Sequence, residues 1–410
     1  MKYFLRLRDE SLRENRENGF GANLFYVLCC VILFFVLFLY EKIKMFDYIE
    51  TGSFSVILII LVMVGIATSV ILKENRLNTN LIGKCFLLFL LPVYTLSLMY
   101  SLFNPFDSIV RYVMIIMPLL LFMTGYFITL NLNDHAIVFL SAYVVFGCLI
   151  AYFVMNYSNS IYYDITRQSA STYSILYMMP FVFCIKKRNI QYFTILLMFV
   201  ILMMSLKRGG FVAFCLGTTL YLVSLHLRNM NLNKILVVVP VACFLIYAGF
   251  WLFEYMDSVT GNLMSARFSD DETGSGRTNI YLDAVSMIMG SSWNEILFGH
   301  GWNSFRTMYW GHLPVHNDFL EIVYDHGFYC AIMYLFFWGA LLSYAMKMSR
   351  LNSFFAPAMW FSLGVFFVNS TVSHIFLEEK HFIIFGLFWG CVSAAFEKES
   401  YQNVFLIKKL

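Results

Sequence analysis

Arg167, Lys207, Arg208, Arg267, Arg277, Arg306 and His316 are the residues whose types and placement suggest chemistry. A planar guanidinium grips two oxygens at once, so arginines gathered on one face suit a phosphate or a pyrophosphate. Gly209 and Gly210 follow Arg208 in SLKRGGF, where they allow close backbone approach and offer amides as further donors to an anion. His316 stands beside Asn317 in PVHNDFLEIVYDHG, directly ahead of a helix start. The positive end of a helix disfavours an imidazolium, which leaves a neutral base able to take a proton from a hydroxyl. Asp318 and Glu321 have the spacing of a capping box, so their expected work is to satisfy the first turn of that helix. Each cation alone also suits a solvated charge, and a single histidine a surface residue.

Other chemistries lack their residues. There is no P-loop, no dinucleotide-binding GxGxxG after a strand, no HExxH and no serine nucleophile elbow. The nine cysteines lie in or beside apolar runs without CxxC or Cys/His pairing, so they read as packing residues, and no metal or cofactor is expected. A net charge of +3 without a basic domain gives no case for nucleic acid.

The elements that must position these residues are membrane helices. The 410 residues are 60% apolar and 13% charged, half the charge of an ordinary globular chain, and apolar runs long enough to cross a hydrocarbon core of about 30 Å recur throughout. The fold class is therefore all-α and polytopic, a single integral membrane domain over 1–410. About twelve spans are expected, at 22–40, 53–72, 81–103, 109–130, 136–155, 169–185, 191–206, 210–227, 234–253, 328–346, 354–371 and 381–397. Pro180 falls inside the sixth and should kink it. The first five carry almost no ionisable residue away from their ends, which disfavours an ion-coupled transporter.

With the N-terminus inside, lysine and arginine favour the cytoplasmic loops, and the long insertion at 254–317, between predicted helices nine and ten, falls outside. The candidate cations fall on that same outer side, against the charge rule in the short loops holding Arg167, Lys207 and Arg208. Either a span is miscounted or these cations are retained to hold an anionic ligand. The insertion reads as structured. RTNIYLDAVSMIMG places Ile280, Ala284, Val285 and Ile288 on one face of an amphipathic helix suited to the membrane surface, and an aromatic segment from Trp293 to Phe305 suits the interface or sugar stacking.

SLKRGGFVA, GSGR ahead of a helix, LFGHGWNSF, and HN followed by Gly327 and a hydrophobic helix together resemble the O-antigen polymerase and ligase superfamily of bacterial envelopes, of the Wzy and WaaL type. The resemblance in topology covers the whole chain, and the motifs lie within about 205–330. It implies a C-type glycosyltransferase fold in the bacterial inner membrane, multi-pass, with a large periplasmic loop and the active site on the periplasmic face. It implies inverting, metal-independent transfer of a glycan from undecaprenyl pyrophosphate, with lipid-linked glycan as donor and acceptor, membrane lipid around it, and a chain-length regulator and flippase as partners. By position, Arg208 and Arg277 would hold the pyrophosphate and His316 would activate the acceptor hydroxyl. Lys207, Gly209, Gly210, Arg267, Arg306, Asn317 and Arg167 would bind substrate around them. The ligase pattern carries Gly, Thr or Tyr three residues after its glycine. Here that position is Cys330, which leans toward polymerase, with ligation to lipid A-core as the alternative and a lipid-linked glycan flippase as the second.

Overall fold

The computed structural model describes residues 81–103, 109–131, 135–160, 169–204, 208–227, 258, 277–309, 313–376 and 379–407. These form helices only, as expected for the all-α membrane protein that the apolar runs indicate. The long ones are α1 (Leu81–Phe103), α2 (Ile109–Asn131), α3 (His135–Ser160), α4 (Ser169–Phe183), α5 (Arg188–Met204) and α6 (Arg208–Leu227). Three short helices follow in the insertion, α7 (Arg277–Gly290), α8 (Trp293–Phe298) and α9 (Ser304–Met308). The last are α10 (Asp318–Arg350), α11 (Ala356–Val372) and α12 (Glu379–Ile407). Nine expected spans coincide with helices to within a few residues, except that α10 and α12 extend further. The expected spans 22–40, 53–72 and 234–253 lie outside the described residues. Helix α4 continues through Pro180 to Phe183.

Water gives no drive for one apolar helix to bury against another in lipid, so close backbone approach and packing have to hold such a bundle together. The sequence supplies small residues where the helices cross. Gly386 and Gly390 sit four apart on α12 against the Pro118 and Phe122 carbonyls of α2, where a Cβ on either would collide with backbone. Gly364 of α11 meets Gly217 of α6, and a Cβ there would lie 2.9 Å from the Gly217 Cα. Aromatic rings fill the space between. Phe86 stacks on Phe337 at 4.6 Å, Phe366 on Phe382 at 5.8 Å, and the buried Trp389 indole donates to Ser362 Oγ at 3.1 Å. Apolar stripes at helical spacing stay exposed on the outside, Phe193, Leu196 and Val200 on α5 and Phe328, Ile332 and Leu335 on α10, as lipid-facing surfaces require.

Helix α10 is 33 residues long, roughly 50 Å at 1.5 Å per residue and well beyond one hydrocarbon core. It breaks at Gly327, whose backbone is not helical (φ 78°, ψ 173°). Residues 318–326 thus form a separate polar-rich helix ahead of the break, and the apolar span begins at Phe328. The insertion has its own small core of Ile280, Ala284, Phe305, Tyr309, Val315 and Tyr324. On α7, Ile280 and Ala284 point into it and Ile288 packs against it, as the amphipathic pattern predicts, but Val285 turns outward with Leu282 and Met289.

Candidate functional site

The break at Gly327 fixes the site's frame. Ending a helix there frees the carbonyls of its last turn, and the GHG turn of the insertion takes them up. The His300 amide donates to the Tyr324 carbonyl at 3.0 Å and the Gly301 amide to the Asp325 carbonyl at 2.8 Å. The approach leaves no room for side chains. A Cβ on Gly299 would collide with the Asp325 carbonyl, and one on Gly327 with the Leu297 carbonyl. Both glycines hold positive φ, 80° and 78°, with ψ near 180°, a region that costs other residues about 1–3 kcal/mol. Asp325 completes the joint by accepting from the amides of Asn303 at 2.8 Å and Phe305 at 2.9 Å, which caps α9. The His300 ring stacks on Tyr324 at 4.2 Å.

At the other end of this short helix the expected caps are corrected. Asn317, not Asp318, is the N-cap, its side chain accepting from the Leu320 amide at 3.1 Å. Asp318 reaches away to a different segment, where one oxygen accepts from the amides of Ile375 at 3.0 Å and Phe376 at 3.1 Å. Its other oxygen accepts from the Tyr334 hydroxyl at 3.4 Å, and Tyr334 also meets Ser370 Oγ at 3.0 Å. Glu321 makes no reach back to the cap. It is buried (2% exposed), and neither oxygen accepts a hydrogen bond from the described residues. The capping-box spacing is satisfied in sequence, but Asp318 is drawn to the Ile375 and Phe376 amides and Glu321 is buried without reaching the cap.

The turn from Ser370 to Phe376, joining α11 to α12, is where the candidate residues meet. The Asn317 amide donates to the Thr371 carbonyl at 3.0 Å. The Arg277 guanidinium donates to the Val372 carbonyl. The Tyr281 hydroxyl lies between the carbonyls of His316, at 3.2 Å, and Thr371, at 3.3 Å. His316 takes a left-handed backbone (φ 59°) and stacks on His374 with ring centroids 4.8 Å apart. Gly209, in the first turn of α6, is a neighbour of Val372: a Cβ on it would lie 3.8 Å from Val372 Cγ2 and 2.9 Å from the Tyr173 hydroxyl. The charge of Arg277 acts on the Tyr173 and Tyr281 phenols alike. Tyr173 in turn lies 6.2 Å from His381 in the first turn of α12. The starts of α4, α6, α7, α10 and α12 and the end of α11 therefore gather at one end of the bundle.

Three of the candidate positions, the Arg208 turn, Arg277 and His316, thus border one turn of chain, with Asn317 and Gly209 beside them; Gly210 follows Gly209 in α6 as a buried residue. Arg306 lies in the last turn of α9, where it is exposed and its charge acts on Glu321. Arg167, Lys207 and Arg267 lie outside the described residues. Sequence reading passed over His374, Tyr281, Tyr173 and the carbonyls of Thr371 and Val372. Ser373 and His374 did carry a signal, being polar residues at the outer end of an expected span.

The electrostatics are those of a desolvated carboxyl cluster, Asp318, Glu321 and Asp325, with the Arg306 charge acting on Glu321. Burial pushes Asp318 up to about 7, against the opposing pull of the Phe376 amide, Ser370, His374 and the Ile375 amide. Burial first, then the Asp325 and Asp318 charges, holds Glu321 well above the carboxylate range. The Val315 amide approaches it without reaching hydrogen-bond geometry, and with Arg306 lowers it in part. His326, enclosed by Trp302 at 5.3 Å and Phe376 at 5.8 Å, is pushed down to about 3 by burial and stays neutral. Among the described residues no three His, Cys, Asp or Glu side chains are grouped to hold a metal ion, and the cysteines are free thiols. The arrangement offers a guanidinium, an aromatic hydroxyl and an imidazole along one short wall, which suits an anion with a neighbouring hydroxyl.

Residues 193–335 match the family model described as O-Antigen ligase, a stretch that contains Arg208, Arg277, His316, Asn317 and Gly327. No curated protein matches the chain.

Proposed function

We propose, starting from a chain that carries the O-antigen ligase domain and stands in the O-antigen polymerase and ligase superfamily, that it is the polymerase of a lipid-linked surface polysaccharide. In this reading it is a single multi-pass domain of about twelve spans with a C-type glycosyltransferase fold in the bacterial inner membrane, residues 254–317 lie outside, and the active site faces the periplasm. Donor and acceptor are both oligosaccharides on undecaprenyl pyrophosphate. A chain-length regulator and a flippase are the expected partners.

The observation that supports it most is the turn at 370–376, around which Arg277, His316 and the Arg208 end of α6 are gathered. In the proposed reaction His316 accepts the proton of an acceptor sugar hydroxyl as that oxygen forms a bond to the donor's anomeric carbon. The bond from that carbon to the pyrophosphate oxygen breaks, and its electron pair leaves with the pyrophosphate. Attack opposite the leaving group inverts the anomeric centre. Negative charge grows on the leaving group as the bond lengthens, so Arg208 and Arg277 bind the transition state more tightly than the ground state. Lys207, Arg267, Arg306, Arg167 and Asn317 complete the polar lining in this proposal.

The test is polymerisation by the purified full-length protein supplied with lipid-linked repeats. Arg208→Ala, Arg277→Ala and His316→Ala should each collapse turnover while the protein remains folded; near wild-type turnover in all three sinks the assignment. The description of the matching family favours ligation to lipid A-core as the second reading. Deletion in the native cell separates the two. Single repeats on lipid A mark a lost polymerase, and full-length chains that never reach lipid A mark a lost ligase.

A further inference from the structure

We infer that His374 is a positioning residue for His316, an inference that rests on the proposed glycosyl transfer. The two rings lie 4.8 Å apart at 23° between planes, close to parallel stacking. His316 takes a left-handed backbone directly ahead of α10, and the flat face of its ring lies against a neighbour. His374 is that neighbour.

The segment carrying His374 is held on both sides of it, by Asn317 and Asp318, which follow His316 in the chain, and by Arg277 and Tyr281 of α7. On the near side, Asn317 holds the Thr371 carbonyl, Arg277 holds the Val372 carbonyl, and the Tyr281 hydroxyl reaches from the Thr371 carbonyl to that of His316 itself. On the far side, Asp318 holds the Ile375 and Phe376 amides. Residues 316, 317 and 318 thus contact, in order, 374, 371 and 375–376. The stack is fixed by a two-sided clamp and is not a chance meeting of two loops. The groups facing His374 include the His316 ring and the Asp318 carboxyl, whose charge interacts with it. A base must hold its nitrogen toward the hydroxyl within a narrow angle, and a misplacement of about 1 Å can lower turnover roughly 100-fold. The stacked ring supplies that restraint without touching the reacting atoms.

Release of undecaprenyl pyrophosphate from lipid-linked repeats, isolated from cells lacking this chain, measures the effect on purified full-length variants. His374→Ala should lower kcat roughly 10- to 100-fold with KM for the repeat within about twofold. His374→Phe, which keeps the stack, should stay within about threefold of wild type. Because His374 acts through His316, adding His374→Ala to His316→Ala should cost no further activity. Melting temperatures of all variants check that folding is kept. If His316→Ala is inactive while His374→Ala works normally, or if His374→Phe falls as far as His374→Ala, the positioning role is overturned and the proposed transfer stands. Turnover that survives in His316→Ala overturns both.

Discussion

Gly299 and Gly327 lie backbone to backbone, each in a positive-φ conformation and each occupying space that a Cβ would need. The glycine that follows the HN pair is therefore required by the partner turn as much as by its own break. Gly327→Ala and Gly299→Ala should each destabilise the protein by more than the roughly 1–3 kcal/mol of a strained residue, because the collision adds to it. Thermal unfolding in detergent reads this out. A melting temperature unchanged in both variants contradicts the packing.

Asp318 and Glu321 make stability depend on pH. Their folded-state pKa values, about 7 for Asp318 and well above the ordinary carboxylate for Glu321, exceed those of the unfolded chain near 4. The folded protein therefore keeps protons that the unfolded chain has lost, which lowers stability as pH rises; His326, held down to about 3, opposes this below about 6.5, so the decline should be read from about 6.5 through 7 and beyond. Glu321→Gln, which keeps the shape without the charge, should raise the melting temperature at pH 8 and flatten the decline. A wild-type melting curve rising across this window has the wrong sign for such buried acids.

Tyr281 tests the wall of the site separately from its charges. Tyr281→Phe keeps the ring and deletes the hydroxyl shared by the His316 and Thr371 carbonyls, a loss of about 1 kcal/mol in stability. Activity should fall further than that suggests, roughly tenfold, because the backbone of the proposed base loses a tether. Equal activity of Phe and Tyr at this position removes Tyr281 from the site.

The outward stripe of α7 and α8 offers Leu282, Val285, Met289, Trp293, Leu297 and Phe298 to the surroundings, with Trp293 80% exposed. The stripe continues across the Gly327 joint into Phe328 and Tyr329 of α10, also exposed. Such a run fits the membrane interface. In liposomes containing brominated lipid, the fluorescence lost on going from wild type to Trp293→Phe should be a quenched component. A Trp293 signal indifferent to brominated lipid places the stripe in water or against protein.

Much of the fold was legible because apolar run length is a strong signal in lipid, and nine expected spans have their helices. The site was legible in part. Arg277 and His316 stand out as polar groups of the insertion and the Arg208 turn as one at the end of an apolar run, whereas Thr371 and Val372 contribute through backbone carbonyls, which no residue type announces. Asp318 and Glu321 carry a real local pattern, but Asp318 is taken up by the amides of a segment some fifty residues away, which overrides it. His374 looked like one more polar residue at the end of a span, since only the tertiary fold brings its ring to His316.

The turn at 370–376 lies beyond the stretch 193–335 that matches the family, yet the candidate residues in that stretch are tied to it. During synthesis Arg208, Arg277 and His316 emerge before it does. Until α11 and α12 have entered the membrane, Arg277 and Asn317 lack their carbonyls, Asp318 its amides and His316 its stacked ring. A half-made chain thus holds the proposed reagents without their arrangement, and competence for transfer arrives with the final helical hairpin.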